Sequence, residues 1–282
     1  MTTMRLLLAH EAFVCFRGRW FFIALTIATG FGIAAAIESA HIAIVWHALD
    51  DFYRSNYLSF SNWMVVNCNA RVLPSAFFRV IPLLASIPFA WSYHSERISG
   101  YEYQVAVRVP RFQRMLAKAA VTFASGFIVT ASALLLNMLV LAAILPSAVP
   151  LYEEYNIIGV FTESLFSELF YRFPIVYVCV YTMLDSCLMG TWAVFVLGCS
   201  CILSNRVSVM VLPYLGLLGW QYLNTWLCLM FDISAPSFNL IDDMQGTFYF
   251  VKSELILVAL QIALMLGFSV ISCRLLSNRD VT

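Results

Sequence analysis

The sequence predicts an all-α, polytopic membrane protein with six transmembrane helices and both termini in the cytoplasm. Three observations carry this. Of the 282 residues, 62% are hydrophobic and only 11% are charged. A soluble domain carries about 25% charged residues and is less than half apolar, so lipid is the solvent for this chain. Six separate apolar stretches each approach the roughly 20 residues that a helix, rising about 1.5 Å per residue, needs to cross about 30 Å of hydrocarbon. With the N-terminus inside, eleven of the sixteen Lys and Arg residues fall in inside loops and five outside, as the positive-inside rule requires. The acids reverse that bias, with Asp50, Asp51, Glu153, Glu154, Asp242 and Asp243 among those outside. Net charge is zero and no strongly basic domain exists, which argues against a nucleic-acid partner.

The elements follow in chain order. Residues 1–19 read as a cytoplasmic amphipathic helix, because Glu11 interrupts the short run Leu6–Ala9 at once, and this is not the pattern of a cleavable signal peptide. The predicted spans are Trp20–Val45, Leu73–Trp91, Ala119–Leu145, Phe173–Leu203, Val207–Phe231 and Glu254–Leu276. The fourth is long for one crossing and is expected to tilt, protrude or kink, with Gly190 as the kink point. Trp20, Trp46 and Trp91 lie near span ends, where indoles prefer the interface. The outside loops are short, and Asp232–Lys252 is short for elaborate re-entrant helices. Within the extracellular segment 147–172, Phe161, Leu165, Leu169 and Phe173 recur at four-residue steps. That spacing fits an amphipathic helix over Asn156–Arg172 on the membrane surface, or an extension of a neighbouring span. Eight cysteines are scattered with no extracellular framework, so disulfides are not the staple.

The charged stretch between the second and third spans, residues 95–118, is the most informative. Glu96-Arg97, then Ser99-Gly100, end the second span. Gly100 permits a tight break, and Tyr101–Val109 can form a short helix with aromatic and aliphatic anchors. Arg108, Arg111 and Lys118 follow, placed to meet acidic partner surfaces or anionic lipid headgroups. The plainer alternative is a positive-inside retention loop with no docking role.

This order resembles the permease subunits of type-two (ABC-2) ABC exporters. In them a Glu with a basic neighbour and Ser-Gly closes the second span, a short coupling helix follows, and a basic turn and a Lys open the third. Glu11 and Arg17-x-Arg19-Trp20 resemble the connecting helix of the same family. Ile98 stands where many members carry an acid, and Pro110 where Ser is common. The resemblance implies that Glu96, Arg97, Ser99, Gly100, Tyr101, Arg108, Arg111 and Lys118 couple the chain to a cytoplasmic ABC ATPase subunit. It also implies a second permease subunit, identical or related, with ATP and Mg on the ATPase and no cofactor in this chain. The chain has no Gly-Lys-Ser/Thr phosphate loop of its own. The alternative reading is an integral membrane enzyme or a structural membrane component without an ATPase partner.

Polar residues inside the spans are the other candidates. Glu38 and His41 share a helix face, but a Glu-x-x-His pair binds di-iron only with a second such pair and two more carboxylates. They read as a hydrated interfacial pair, with no metal site. Asp185 lies midway along the fourth span, where an acid is costly and a functional candidate by default. It can line a pathway, pair with Arg79, or sit protonated against Gln221 or Asn224. Thr122, Gly126, Thr130 and Asn137 form one face of the third span, and Ala28, Gly32 and Ala36 one face of the first; small residues at this spacing read as helix packing. Cys199-Ser-Cys201 lacks further ligands for zinc. Glu153-Glu154 is similar to the double acid of Abi-type intramembrane proteases, but their downstream Arg and paired His residues are missing.

Overall fold

The computed structural model describes residues 2–49, 54–68, 70–100, 110–161, 164–203, 205–231, 238–246 and 254–279. These form an all-helical protein with no strand among the described residues. The helices are α1 (Thr2–Phe16), α2 (Arg19–Leu49), α3 (Val72–Ser86), α4 (Ser92–Ile98), α5 (Arg111–Ile144), α6 (Tyr155–Ile158), α7 (Ser167–Arg172), α8 (Pro174–Ser200), α9 (Arg206–Phe231), α10 (Leu240–Asp243) and α11 (Leu255–Arg279). Four of them, α2, α5, α8 and α11, are long and apolar enough to cross a membrane.

Those four coincide with the first, third, fourth and sixth predicted spans. The second differs. At 15 residues α3 is shorter than a crossing, and the chain turns at 87–91 before α4 resumes. Pro82 lies inside α3 and Pro88 follows it; neither can donate a backbone N–H, which ends the helix early. The fifth, α9, has 26 residues, but Pro213, two glycines, Gln221 and Asn224 dilute its apolar character.

The helices turn small residues inward and large ones outward. On α2, Ala24, Ala28, Ala35, Ala36, Ala40 and Ala43 are buried, while Ile23, Ile27, Ile37 and Ile44 are exposed. That inversion suits a helix with protein on one side and acyl chains on the other, since small residues let backbones approach. A Cβ on Gly32 would come within 2.6 Å of the Ala133 carbonyl of α5. The side chain of Asn137 bridges the same crossing, donating to the Gly32 carbonyl at 2.9 Å. Gly32 and Asn137, one from each predicted packing face, thus meet at the α2–α5 crossing.

At the centre lies α8, with nineteen of its twenty-seven residues buried. It runs unbroken through Gly190. There Phe123 of α5 packs so closely that a Cβ would meet its ring at 2.8 Å, so close approach is what the glycine serves. Gly126 makes room on the other side of that contact, facing the Met189 carbonyl and Ala193. Gly198 similarly admits Ser269 of α11, whose hydroxyl donates to the Val194 carbonyl at 3.1 Å. By contrast α9 is peripheral and leaves Leu212, Leu215, Trp220, Trp226 and Met230 exposed.

Two connecting segments do not stay on the surface. Residues 58–66 insert Phe60, Trp63, Met64, Val65 and Val66 into the core. Trp63 Nε1 donates to the Leu134 carbonyl at 3.3 Å, and the Met64 amide to Asn137 Oδ1 at 3.1 Å. The second segment, 239–246, buries Leu240, Ile241 and Met244 and joins the first through the Gly246 amide, which donates to the Val65 carbonyl at 2.9 Å. Among its described residues, the last long loop contributes one buried turn, α10. The expected continuous helix over Asn156–Arg172 is divided into α6 and α7. Gly159 ends α6 at φ +83°, and Phe166 precedes α7 at φ +60°.

Candidate functional site

The predicted coupling stretch leads to a buried cluster of four charges. Glu11 comes from α1, Glu96 from α4, and Arg114 and Lys118 from the first two turns of α5. Lys118 Nζ lies 2.9 Å from Glu11 Oε2 and 2.6 Å from Glu96 Oε1. Arg114 pairs with the other Glu96 oxygen, and its Nε is 4.0 Å from Glu11 Oε1. Among the described residues, two cations thus meet two carboxylates, and their formal charges cancel.

Local sequence explains the convergence. Arg114 and Lys118 are four apart and so lie on one face of α5. Lys118 is 0% exposed and its ammonium stands 5.0 Å from the Phe89 ring centre, in the turn before α4. Glu96 keeps 21% of its side chain exposed and forms the solvent edge. One turn beyond Glu11 on α1, Cys15 is buried, and burial pushes its thiol up to about 12. Near the cluster, Arg206 at the start of α9 stacks on Trp91 at 3.6 Å and on Trp20 at 5.7 Å. This cation–π clamp ties the otherwise peripheral α9 to the mouths of α2 and α4.

The other predicted coupling residues divide. Arg97 and Ser99 are exposed, and the Ser99 hydroxyl turns back to the Glu96 carbonyl at 3.0 Å. Gly100 adopts φ +72°, and nothing lies within 4 Å of the point where a Cβ would stand, so its need for glycine is conformational and owes nothing to crowding. Tyr101 and Arg108 lie outside the described residues, as does the side chain of Arg111. Sequence reasoning places Arg114 among the inside charges and no further; its i, i+4 relation to Lys118 is the signal that could have found its role. The Arg206 clamp carries no such signal, since its rings come from distant segments.

The intramembrane candidates are placed as follows. Glu38 accepts from the backbone amides of Val72 at 3.3 Å and Leu73 at 2.9 Å, capping the start of α3, while His41 is exposed. No group of three metal-ligating side chains forms among the described residues. Asp185 is 0% exposed and faces the interior, but none of the expected partners reaches it. Both its oxygens lack a hydrogen bond, as do the neighbouring hydroxyls of Thr182 and Ser186. Arg79 is exposed on α3, and Gln221 is engaged with Asp242 at 3.2 Å. Asn224 is half-buried on the peripheral α9 and contributes nothing to the Asp185 surroundings.

The chain matches no family model, no curated protein and no solved structure.

Proposed function

We propose that this protein is the transmembrane subunit of an ATP-driven exporter of the type-two ABC class, resident in the cell membrane. In this reading six segments cross the bilayer, with α3 and α9 completing the four longer spans. Both termini and the loop between α4 and α5 face the cytoplasm. The chain is a non-catalytic subunit: ATP and Mg are held by a separate cytoplasmic ATPase, and a second permease copy or relative completes the pathway. The cargo is amphipathic or lipophilic, such as a peptide, antibiotic or lipid, in keeping with an apolar, aromatic-rich bundle.

The observation that supports this reading is the charge cluster. It joins the two helices that flank residues 99–110 to the N-terminal helix α1, and it does so with ion pairs largely shielded from water. A push delivered to that loop by a partner would move α1, α4 and α5 as one unit, because shielded pairs resist separation more than solvated ones. A loop that served only charge retention needs no such brace behind it.

The test is co-purification of the tagged chain with an ABC ATPase encoded beside it, followed by ATP hydrolysis in nanodiscs. The wild type should retain the ATPase and stimulate it. Gly100→Val, which forces a branched side chain into φ +72°, should insert normally but lose that stimulation. Arg108→Ala should act in the same direction. Absence of any ATPase partner, with no ATP-dependent transport in reconstituted membranes, would sink the reading and leave the membrane-enzyme or structural alternative.

A further inference from the structure

At the end of the bundle opposite the charge cluster, a cavity of about 410 Å³ opens between the end of α2, the inserted 54–71 segment and α6. Its size falls in the range of small-molecule sites, about 300–1,000 Å³. One wall is apolar, formed by Ala43, Trp46 and Ile158. The other is polar, with His47, Asn56, Asn67 and Arg71.

The polar wall is a built structure. The Asn62 amide donates to the carbonyls of Asn56 at 2.7 Å and Leu58 at 3.0 Å, and its oxygen accepts from Asn67 Nδ2 at 3.2 Å. His47 stacks on Tyr57 with ring centres 4.3 Å apart and planes 15° apart. Polar atoms of this wall remain unengaged. Ser61 Oγ and Arg71 Nε are shielded from solvent and have no hydrogen-bond partner. The acid nearest in effect to Arg71 is Glu38, and both its oxygens already accept the backbone amides at the start of α3. Arg71 makes no ion pair among the described residues. Among the described residues, the wall therefore offers a guanidinium whose Nε is not engaged.

The apolar wall points to what accompanies the acceptor. Trp46 is 59% exposed, and Ile44, Val45 and Ile37 are exposed along the same helix, with the exposed His41 between Ile37 and the other two. A molecule held in the cavity meets exposed apolar side chains where it leaves. We propose that this cavity binds the oxyanion of an amphiphile, with a carboxylate or phosphate held by Arg71 and the carboxamides of Asn56 and Asn67 and an apolar tail lying over Trp46 along α2. The site needs no ATPase and stands apart from the transport reading. Its occupant is either a free amphiphile or the headgroup of an anionic lipid.

The experiment uses the full chain in phosphatidylcholine nanodiscs, with radiolabelled decanoate as probe and uncharged decanol as competitor. Wild type should bind decanoate saturably, and decanol should not displace it. Arg71→Gln should weaken binding about tenfold or more, because a charge-assisted contact is lost. Ala70→Trp changes an exposed residue at the cavity edge, leaves the core untouched, and should block binding sterically. Melting temperature and gel filtration establish that each variant is folded. If Arg71→Gln does not fold, Ala70→Trp decides the matter. A second arm replaces half the lipid with phosphatidylglycerol. Loss of decanoate binding there identifies a lipid headgroup as the occupant, and retained binding identifies a free amphiphile. Equal affinity in folded Arg71→Gln and Ala70→Trp, full displacement by decanol, or no saturable binding in phosphatidylcholine overturns the proposal.

Discussion

At the end of the bundle where α1, α4 and α5 meet, three buried charged side chains pack with the partly exposed Glu96. At the opposite end, the 54–71 and 238–246 segments enter the bundle with aromatic rings, backbone amides and carboxamides. Both arrangements join helices that are distant in sequence, but by different physics. The charged end depends on matching: Lys118 and Arg114 are tolerable without water only because Glu11 and Glu96 balance them. The opposite end depends mainly on volume and on single hydrogen bonds such as the two that Asn137 makes. Removing one member should therefore be far more damaging at the first end than at the second, and replacing a matched pair should be far less so.

The largest expected effect follows directly. Lys118→Met removes a cation that hydrogen-bonds both carboxylates, leaving two acids to share Arg114. Breaking a buried ion pair on one side costs about 3–5 kcal/mol. The purified variant should show a strongly lowered unfolding temperature in detergent. The double variant Glu11→Gln/Lys118→Met restores neutrality and should recover much of the loss. If the double variant were as unstable as the sum of its singles, the balance of charge would not be what holds this end.

The opposite end is probed by Asn137→Leu. The leucine fills similar space but leaves the Met64 amide without its acceptor at 3.1 Å. An unsatisfied buried donor costs about 1–3 kcal/mol, less than the Lys118 change. The inserted 58–66 segment should loosen first, with faster amide exchange at Met64 and Val65 and unchanged exchange in α1. Uniform destabilisation of both ends would mean that the two are one cooperative unit.

The same contrast governs how much can be read from the sequence. Spans such as Trp20–Val45 are legible because lipid imposes length and apolarity locally. The shortening of α3 is less so, since hydropathy does not register that Pro82 and Pro88 lack an N–H. The inserted loop hides in plain view: Trp63-Met64-Val65-Val66 is an apolar run, but too short to span, and nothing local says whether such a run lies on a bundle or inside it. Glu96, Lys118 and Glu11 each stand out by position, yet their meeting with Arg114 is a tertiary fact. Asp185 shows the limit most clearly. That it faces inward follows from the cost of exposing an acid to lipid, but which residues lie opposite it depends on helix rotation, and the anticipated Arg79, Gln221 and Asn224 all lie elsewhere.

The smallest effect sharpens the comparison through pH. Asp242, in the inserted 238–246 segment, is held above the ordinary carboxylate range chiefly by burial, against the opposing hydrogen bonds from Asn239 at 2.9 Å and Gln221 at 3.2 Å. No cation is among its hydrogen-bond partners, in contrast to Glu11 and Glu96. A raised folded-state pKa means that the folded protein keeps this proton after the unfolded chain has released it. The contribution is therefore fully present below the unfolded pKa, near about 3.9, and is lost as pH rises through the folded value. Asp242→Asn removes the titration and keeps one acceptor, so its stability should fall less than the wild type's as pH rises above about 4. The comparison is between two unfolding profiles in the same detergent, which cancels what the two proteins have in common. Parallel profiles would show that Asp242 ionises as freely in the folded protein as in the unfolded chain. The inserted loop would then be hydrated, and the contrast between a charged end and a dry, neutral one would fail at this residue.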